Sequence, residues 1–221
     1  MILAIDTSLG TSAALVDGRG RVLGEAWSDD PLAHAEVIGG LLHDVLASGP
    51  APTHVAAGMG PGPFTGLRIG ITAARTFAQA RALALVPVAS HDAVALEHLA
   101  GAPGRVSLEA PAAGAAEASA LFAVVTDARR REFAFSVYDG LDADGLPRRM
   151  AGPALAHRDE IDERLLALGA RRVDATVVSA AALGVVAARA VAASRVIAGA
   201  EPLYLRAPDV TVPAAPKRVG A

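Results

Sequence analysis

Two aspartates, Asp6 and Asp127, each follow an apolar run and are the residues of this chain best placed to do chemistry. The runs are residues 2–5 and 121–125, so both carboxylates are predicted to end a strand. Such carboxylates can organise magnesium and nucleotide phosphates, or they can accept hydrogen bonds from turn amides. A phosphate-binding hairpin requires glycine directly after the first aspartate, because backbone amides reach a phosphate only where side chains do not crowd them. Here Thr-Ser-Leu lies between Asp6 and Gly10. Asp6 and Asp127 are therefore weak candidates for nucleotide binding.

The six histidines form no recognisable metal-binding pair. His34 and Glu36 are two residues apart, neither HExxH nor HxxxH occurs, and no carboxylate cluster accompanies His91 and His98. The chain has no cysteine, which removes thiolate ligands and thiol nucleophiles, and it has no GxSxG elbow. We predict no catalytic residue and no metal site, and we interpret the histidines as surface or capping residues.

The strongest backbone constraint lies in residues 58–70, GMGPGPFTGLRIG. Glycine tolerates positive φ and proline fixes φ, so these residues specify a shaped loop, after which Thr65 offers an N-cap hydroxyl. A phosphate-binding Walker loop is excluded because the only lysine is Lys217, in the tail. The glycine spacing is GxGxxxG, one residue longer than the dinucleotide-binding fingerprint.

Composition narrows the class of protein further. The 221-residue chain can form one domain or two small lobes. Its net charge of -3 and pI near 6.1 disfavour a free-standing nucleic-acid binder. The N-terminal MILAIDTS has no basic region and reaches a charged residue early, which predicts a strand rather than a signal peptide or membrane span. We expect a cytoplasmic protein with no membrane contact.

Hydrophobic periodicity predicts an N-terminal lobe at residues 1–100 with the element order βββαβαβα. Its two amphipathic helices are predicted at 33–47 and 66–82, and a short strand at 54–57 leads into the glycine loop. The Pro-Gly-rich stretch 101–118 is predicted to be a flexible linker.

A C-terminal lobe is predicted at residues 119–206, followed by a poorly ordered tail at 207–221. Its predicted elements are strands at 121–125, 133–138 and 175–178, and helices near 158–168 and 180–193. The sequence of strand, aspartate, polar turn and strand around Asp127 repeats the plan around Asp6. Two copies of one hairpin plan predict two duplicated lobes.

The second helix carries a ridge of small side chains spaced four residues apart, from Gly66 through Gly70 to Ala82. Such a ridge lets another helix approach closely, although an alanine-rich chain also produces ridges for internal packing. Because Gly70 costs a helix about 1 kcal/mol relative to Ala, it calls for a packing reason. Arg68, in the first turn, calls for a partner because the helix dipole disfavours a cation there. The predicted partner interface comprises Val37, Leu41, Leu67, Arg68, Gly70, Ile71, Ala74, Arg75 and Ala78.

Five stretches taken together resemble the TsaB (YeaZ) family. They are LAIDTS near the N-terminus, HAE at 34–36, GPGPFTGLRIG, DARRREFAFSVY and the terminal PLYLR, which span most of the chain in the family's order. One departure is Pro63, where the family usually has serine, so that a hydroxyl and an amide donor are missing.

The resemblance implies the actin-like ATPase (RNase H-like, ASKHA) fold, an α/β fold of two duplicated lobes, each with a mixed sheet and flanking helices. It also implies a subunit without catalytic residues, which pairs through N-lobe helices with a catalytic TsaD-like subunit and is joined by a TsaE-like ATPase. ATP and a metal ion are then expected on the partners and tRNA only in the complex. The reaction implied is threonylcarbamoyl transfer to N6 of the adenosine 3′ of the tRNA anticodon.

Other functions stay open at the level of sequence. One is a small ATP-dependent kinase or ATPase of the same fold that uses Asp6 and Asp127, and another is a metallopeptidase. A homodimer of the isolated chain through the same two helices is a further alternative.

Overall fold

Two mixed β-sheets, one from each half of the chain, carry the fold. The structure is a computed structural model, and it describes residues 1–30, 32–101 and 121–206. The first half contains β1 (Ile2–Asp6), β2 (Thr11–Val16), β3 (Val22–Ser28), α1 (His34–Leu46), β4 (His54–Gly58), α2 (Phe64–Ala80), β5 (Ala84–Val88) and α3 (Ser90–Ala100). The second half contains β6 (Phe122–Asp127), β7 (Glu132–Leu141), β8 (Pro147–His157), α4 (Ile161–Ala167), β9 (Arg171–Asp174) and α5 (Ala180–Ala192).

The two sheets share one connection plan. The first has the strand order β3-β2-β1-β4-β5 and the second β8-β7-β6-β9. In the first, β1 pairs antiparallel with β2 and parallel with β4; in the second, β6 pairs antiparallel with β7 and parallel with β9. Asp6 and Asp127 end the equivalent strands β1 and β6. The predicted duplication of the hairpin plan is therefore present in the structure.

Alternation along β1 separates two layers of the N-terminal core. Ile2 and Ala4 belong to the cluster that includes α5, while Leu3 and Ile5 belong to the cluster that includes α2. Because successive side chains of a strand point to opposite faces, α1 and α2 cover one face of the first sheet and α5 covers the other. In the second sheet, Phe122 and Val124 join the α5 cluster, whereas Ala123 and Val125 pack with α4.

Helix α5 lies at the centre of the molecule although it comes last in sequence. It falls within the stretch 119–206, yet it contacts β1 and β2 of the first sheet and also α3. Nearly every residue of this helix is apolar and buried, as expected of a helix covered on all sides. Its N-cap Ser179 accepts a hydrogen bond from the Ala182 amide at 3.1 Å and donates to Glu25 of β3 at 2.8 Å.

Several sequence predictions need correction in the second half. No strand was expected at residues 147–157, where β8 lies; its prolines and arginines are tolerated because β8 is an edge strand. The strand expected at 175–178 is instead β9 at Arg171–Asp174, a charged edge strand. The helix near 158–168 shortens to Ile161–Ala167. The predicted linker, except its first residue, and the tail at 207–221 lie outside the described residues.

Candidate functional site between the two lobes

The glycine loop leads directly into α2, which begins at Phe64. Pro63 is the N-cap residue in an extended conformation, and no side chain caps the helix. The expectation that Thr65 would be the cap is wrong, because Thr65 already lies inside the first turn and is exposed. Pro63 has no hydroxyl that could bond to the free amides of that turn.

Asp6 lies sealed beneath this loop. It is 1% exposed; its Oδ1 accepts hydrogen bonds from the Ser8 amide at 2.7 Å and the Ser8 hydroxyl at 2.5 Å. Its Oδ2 accepts a hydrogen bond from the Ser90 hydroxyl at 2.5 Å. Burial raises the pKa of Asp6, and the hydrogen bonds from Ser8 and Ser90 oppose that shift. Gly58 makes room for the carboxylate, since a Cβ there would lie 1.8 Å from Oδ2.

Three further glycines of residues 58–70, Gly62, Gly66 and Gly70, are packed against the β1–β2 hairpin. A Cβ on Gly62 would lie 2.8 Å from the Cα of Ser8, and one on Gly70 would lie 2.1 Å from the Thr7 hydroxyl. That hydroxyl donates to the carbonyl oxygen of Gly66 at 2.7 Å. The glycines therefore allow a close approach within the chain, which is the internal packing considered for them from sequence.

This packing corrects most of the predicted partner interface. Five of its members face the chain's own core and are buried: Leu67, Gly70, Ile71, Ala74 and Ala78. Val37 and Leu41 are half-buried on α1. The two arginines are exposed, but each has a partner in this chain: Arg68 lies 5.2 Å above the Phe64 ring, and Arg75 donates to the carbonyl oxygen of Ala200.

A cavity of about 380 Å³ opens between the glycine loop and the β6–β7 turn. It is lined by Leu32, His34, residues 61–66, Ile69, residues 126–130, Ala134, Leu155 and residues 204–206. The backbone amide of Leu203 donates to the Met59 carbonyl at 2.8 Å, and the rings of Phe64 and Tyr204 lie 4.7 Å apart. Four stretches that are distant in sequence, HAE, GPGPFTG, DARR and PLYLR, thus meet around one cavity.

The family assignment rests on the comparisons with known proteins. The family model described as TsaD, tRNA N6-adenosine threonylcarbamoyltransferase, matches residues 32–144. The chain belongs to the TsaD family. An uncharacterized protein of Mycobacterium tuberculosis is 32% identical over 168 residues, which cover 73% of this chain and 67% of that protein. An uncharacterized protein of Mycobacterium leprae is 31% identical over 171 residues, 73% of this chain but 40% of that protein.

Two solved structures from Pseudomonas aeruginosa share the fold of this TsaD-family chain. One is YeaZ, with a TM-score of 0.69, 23% identity and coverage of 92% of this chain and 99% of that one. The other, described as similar to peptidase YEAZ, has a TM-score of 0.69, 24% identity and coverage of 93% and 99%. The predicted actin-like α/β fold with two mixed sheets is confirmed, as is the resemblance to the YeaZ (TsaB) group.

Asp127, the second weak candidate for nucleotide binding, has surroundings that differ from those of Asp6. It lines the cavity with a side chain 55% exposed, and it pairs with Arg158 at 2.8 Å. Desolvation, the largest single effect, raises the pKa of Asp127, but the amide of Arg129 and the guanidinium of Arg158 outweigh it and lower the pKa. Asp6, in contrast, does not line the cavity.

The interpretation of the histidines is wrong for two of them, since His34 and His91 are buried. His91 is hydrogen-bonded to the Ser136 hydroxyl at 2.9 Å and to the Thr126 hydroxyl at 3.0 Å, which ties α3 to the second sheet. Burial lowers the pKa of His91 to about 3, and Arg149 adds to that effect. The only sequence signal for this role was the position of Ser-His-Asp directly after an apolar strand.

Nowhere in residues 1–30, 32–101 and 121–206 do three His, Cys, Asp or Glu side chains come together in a way that could hold a metal ion. None of the helices described is long and apolar enough to cross a membrane.

Proposed function

We propose that this chain is a non-catalytic scaffold subunit that pairs with a catalytic TsaD-like subunit in the cytoplasm. Its role is to support threonylcarbamoyl transfer to N6 of the adenosine 3′ of the tRNA anticodon. ATP and the metal ion are bound by the partner subunits, which include a TsaE-like ATPase. This chain contacts tRNA only within the complex. The family of the chain and the fold that it shares with YeaZ support this proposal.

The closed environment of Asp6 is the observation that carries the non-catalytic assignment. An actin-like nucleotide site needs a carboxylate at this position that is free to hold a magnesium ion or its water shell. Both oxygens of Asp6 already accept hydroxyl hydrogen bonds, from Ser8 and Ser90, within a fully buried setting. The residues present therefore do not fit a magnesium nucleotide, and this disfavours the kinase or ATPase alternative.

The outer face of α1 and α2 is the surface we assign to the partner. Gly39 and Gly40 lie in the middle of α1 and are exposed, and no atom of the described residues would lie within 4 Å of an added Cβ. Each costs the helix about 1 kcal/mol relative to Ala, and no contact among the described residues accounts for that cost. The Thr7 hydroxyl occupies the space beside Gly70, whereas Gly39 and Gly40 leave a flat helix surface against which a second helix can pack. The exposed stripe at Arg68 and Arg75 on α2 extends this face.

Co-expression with the host's TsaD-like protein tests the assignment. Gly40→Gln is expected to raise the stability of the isolated chain because glutamine favours a helix, but to block close approach of the partner. We expect loss of the heterodimer in size exclusion and loss of the modified nucleoside in cellular tRNA. Gly18→Gln is the matched control, since Gly18 is also exposed, has no described atom within 4 Å of an added Cβ, and lies in the turn between β2 and β3, outside both helices.

Survival of both the heterodimer and the modified nucleoside in a folded Gly40→Gln variant would refute the interface. The non-catalytic assignment has a separate test, which is calorimetry of the isolated chain with magnesium-ATP. Micromolar binding by the chain alone would favour the kinase alternative instead. The oligomeric state of the isolated Gly40→Gln variant also reports whether the same face supports a homodimer.

A further inference from the structure

The N-terminus of α2 opens into the cavity without a cap. Its first turn contains no acidic residue, and no side chain accepts a hydrogen bond from its free amides. These amides and the helix dipole together favour an anion at this end of a 17-residue helix. Pro63, Phe64 and Thr65 line the cavity, so the uncapped turn borders the space in which an anion would lie.

His34 supplies an independent donor in the same cavity. The residue is only 6% exposed, and its Nδ1 is hydrogen-bonded to the Thr11 hydroxyl at 2.7 Å. Its Nε2 lies 3.0 Å from the place of a Cβ on Gly66, and within the described residues it has no hydrogen-bond partner. In the tautomer in which Nδ1 accepts from the Thr11 hydroxyl, the ring proton lies on Nε2, where it is available to an anion beside the start of α2.

The charged side chains that line the cavity carry a net positive charge. The cavity is lined by Asp127, Arg129, Arg130 and Arg206 in addition to His34. Asp127 is already paired with Arg158, and Arg206 with Glu132. The backbone amide of Arg129 donates to Asp127, and the charge of the Arg129 guanidinium helps to lower the pKa of Asp127, although the two side chains form no ion pair within 4 Å among the described residues.

The apolar walls set the size and character of the ligand. A cavity of about 380 Å³ is larger than a bare phosphate or carboxylate needs. The tilted rings of Phe64 and Tyr204 and the side chains of Ile69 and Leu205 line it opposite the polar groups. An apolar or aromatic body attached to the anion would fill this part of the space.

We propose that the cavity binds a small molecule with a terminal oxyanion, phosphate or carboxylate, on an apolar or aromatic body and without a metal ion. The oxyanion accepts hydrogen bonds from the first-turn amides of α2 and from His34 Nε2, and Arg129 neutralises its charge. This site is distinct from a nucleotide site at Asp6 and does not depend on the scaffold role.

Titration of the full chain by calorimetry, with phenyl phosphate and benzoate as probes, tests the proposal and distinguishes the two anions. At least one probe is expected to bind, more tightly than inorganic phosphate or acetate, and with no response to magnesium. Thr65→Asp adds a carboxylate in the first turn, so it is expected to weaken binding about tenfold or more while leaving the thermal midpoint unchanged or higher. Thr72→Asp, at an exposed position in the middle of the same helix, is the matched control.

Arg129→Ala is a second variant. The Arg129 side chain lies on the surface, so its removal is not expected to prevent folding. It is expected to weaken binding of the same probe, by a smaller factor than Thr65→Asp. The proposal is overturned if neither probe binds, if binding requires magnesium, or if Thr65→Asp and Thr72→Asp bind the probe equally well.

Discussion

The hydroxyl of Thr7 occupies the space in which a side chain on Gly70 would begin. A Cβ on Gly70 would lie 2.1 Å from Thr7 Oγ1, and the same hydroxyl donates to the Gly66 carbonyl at 2.7 Å. The contact locks α2 onto the hairpin that carries Asp6, so the glycines of α2 serve the geometry of the sealed carboxylate. This is why Gly70 is a residue for testing the fold rather than the interface.

Gly70→Ala is expected to destabilise the isolated chain by roughly 1–3 kcal/mol, because the added methyl group overpacks a buried hydroxyl that is held by a hydrogen bond. The measurement is equilibrium unfolding in urea. Gly39→Ala is the opposite case on α1, because no described residue would lie within 4 Å of the new Cβ, and it is expected to stabilise the chain by about 1 kcal/mol.

A double-mutant cycle identifies the cause of the Gly70 effect. Thr7→Ala removes the hydroxyl and the methyl group that the new Cβ would meet, so Gly70→Ala should cost less in that background. Equal costs in both backgrounds would show that the Thr7 contact is not responsible.

Acid is expected to destabilise the chain through His91. Its pKa is about 3 in the folded protein against 6.5 ordinarily, so between these values the unfolded chain binds more protons. The contribution of neutral His91 is complete above pH 6.5 and is lost as the pH falls towards 3, at no more than about 1.4 kcal/mol per pH unit. Asp6 and Asp92, whose pKa values are raised, act in the opposite direction near the carboxylate range.

Urea unfolding of the parent chain and of His91→Gln between pH 4 and 8 measures the contribution of His91 to the free energy of unfolding. The carboxylate contributions are common to both proteins, so the free energy of unfolding of the parent relative to that of His91→Gln should fall smoothly as the pH falls from 7 towards 4. His43→Gln, which makes the same replacement at an exposed position on α1, is the control variant. A constant difference between the parent and His91→Gln would contradict a neutral buried His91.

The sequence allowed prediction of the N-terminal elements and the duplicated hairpins because their signals are local. Apolar runs, the amphipathic stripe of α1 and the aspartates after β1 and β6 each depend on neighbouring residues. Strand β8 escaped prediction because its pairing with β7, at the edge of the sheet, overrides two prolines and several polar residues. That signal lies in β7 and not in β8 itself.

The candidate site was harder to predict because its parts come together only in three dimensions. The small-residue ridge of α2 has the same appearance in sequence whether it faces another protein or Thr7. Nor does sequence reveal that Arg129, Arg130 and Arg131 all adopt positive φ, since arginine rarely does so. The meeting of His34, the glycine loop and the β6–β7 turn depends on α3 and α5, which join the two sheets.

The junction of α3 with the second sheet gives a last prediction. Asp92, at the start of α3, is buried; it accepts hydrogen bonds from the Tyr138 hydroxyl at 2.7 Å and from Arg149 at 3.1 Å. Arg149→Ala leaves this carboxylate without its charged partner, so urea unfolding should reveal a loss of about 2–4 kcal/mol. The neighbouring pair of Arg148 with Asp139 is solvated, and Arg148→Ala should change stability little. Equal effects of the two replacements would mean that Asp92 does not depend on Arg149.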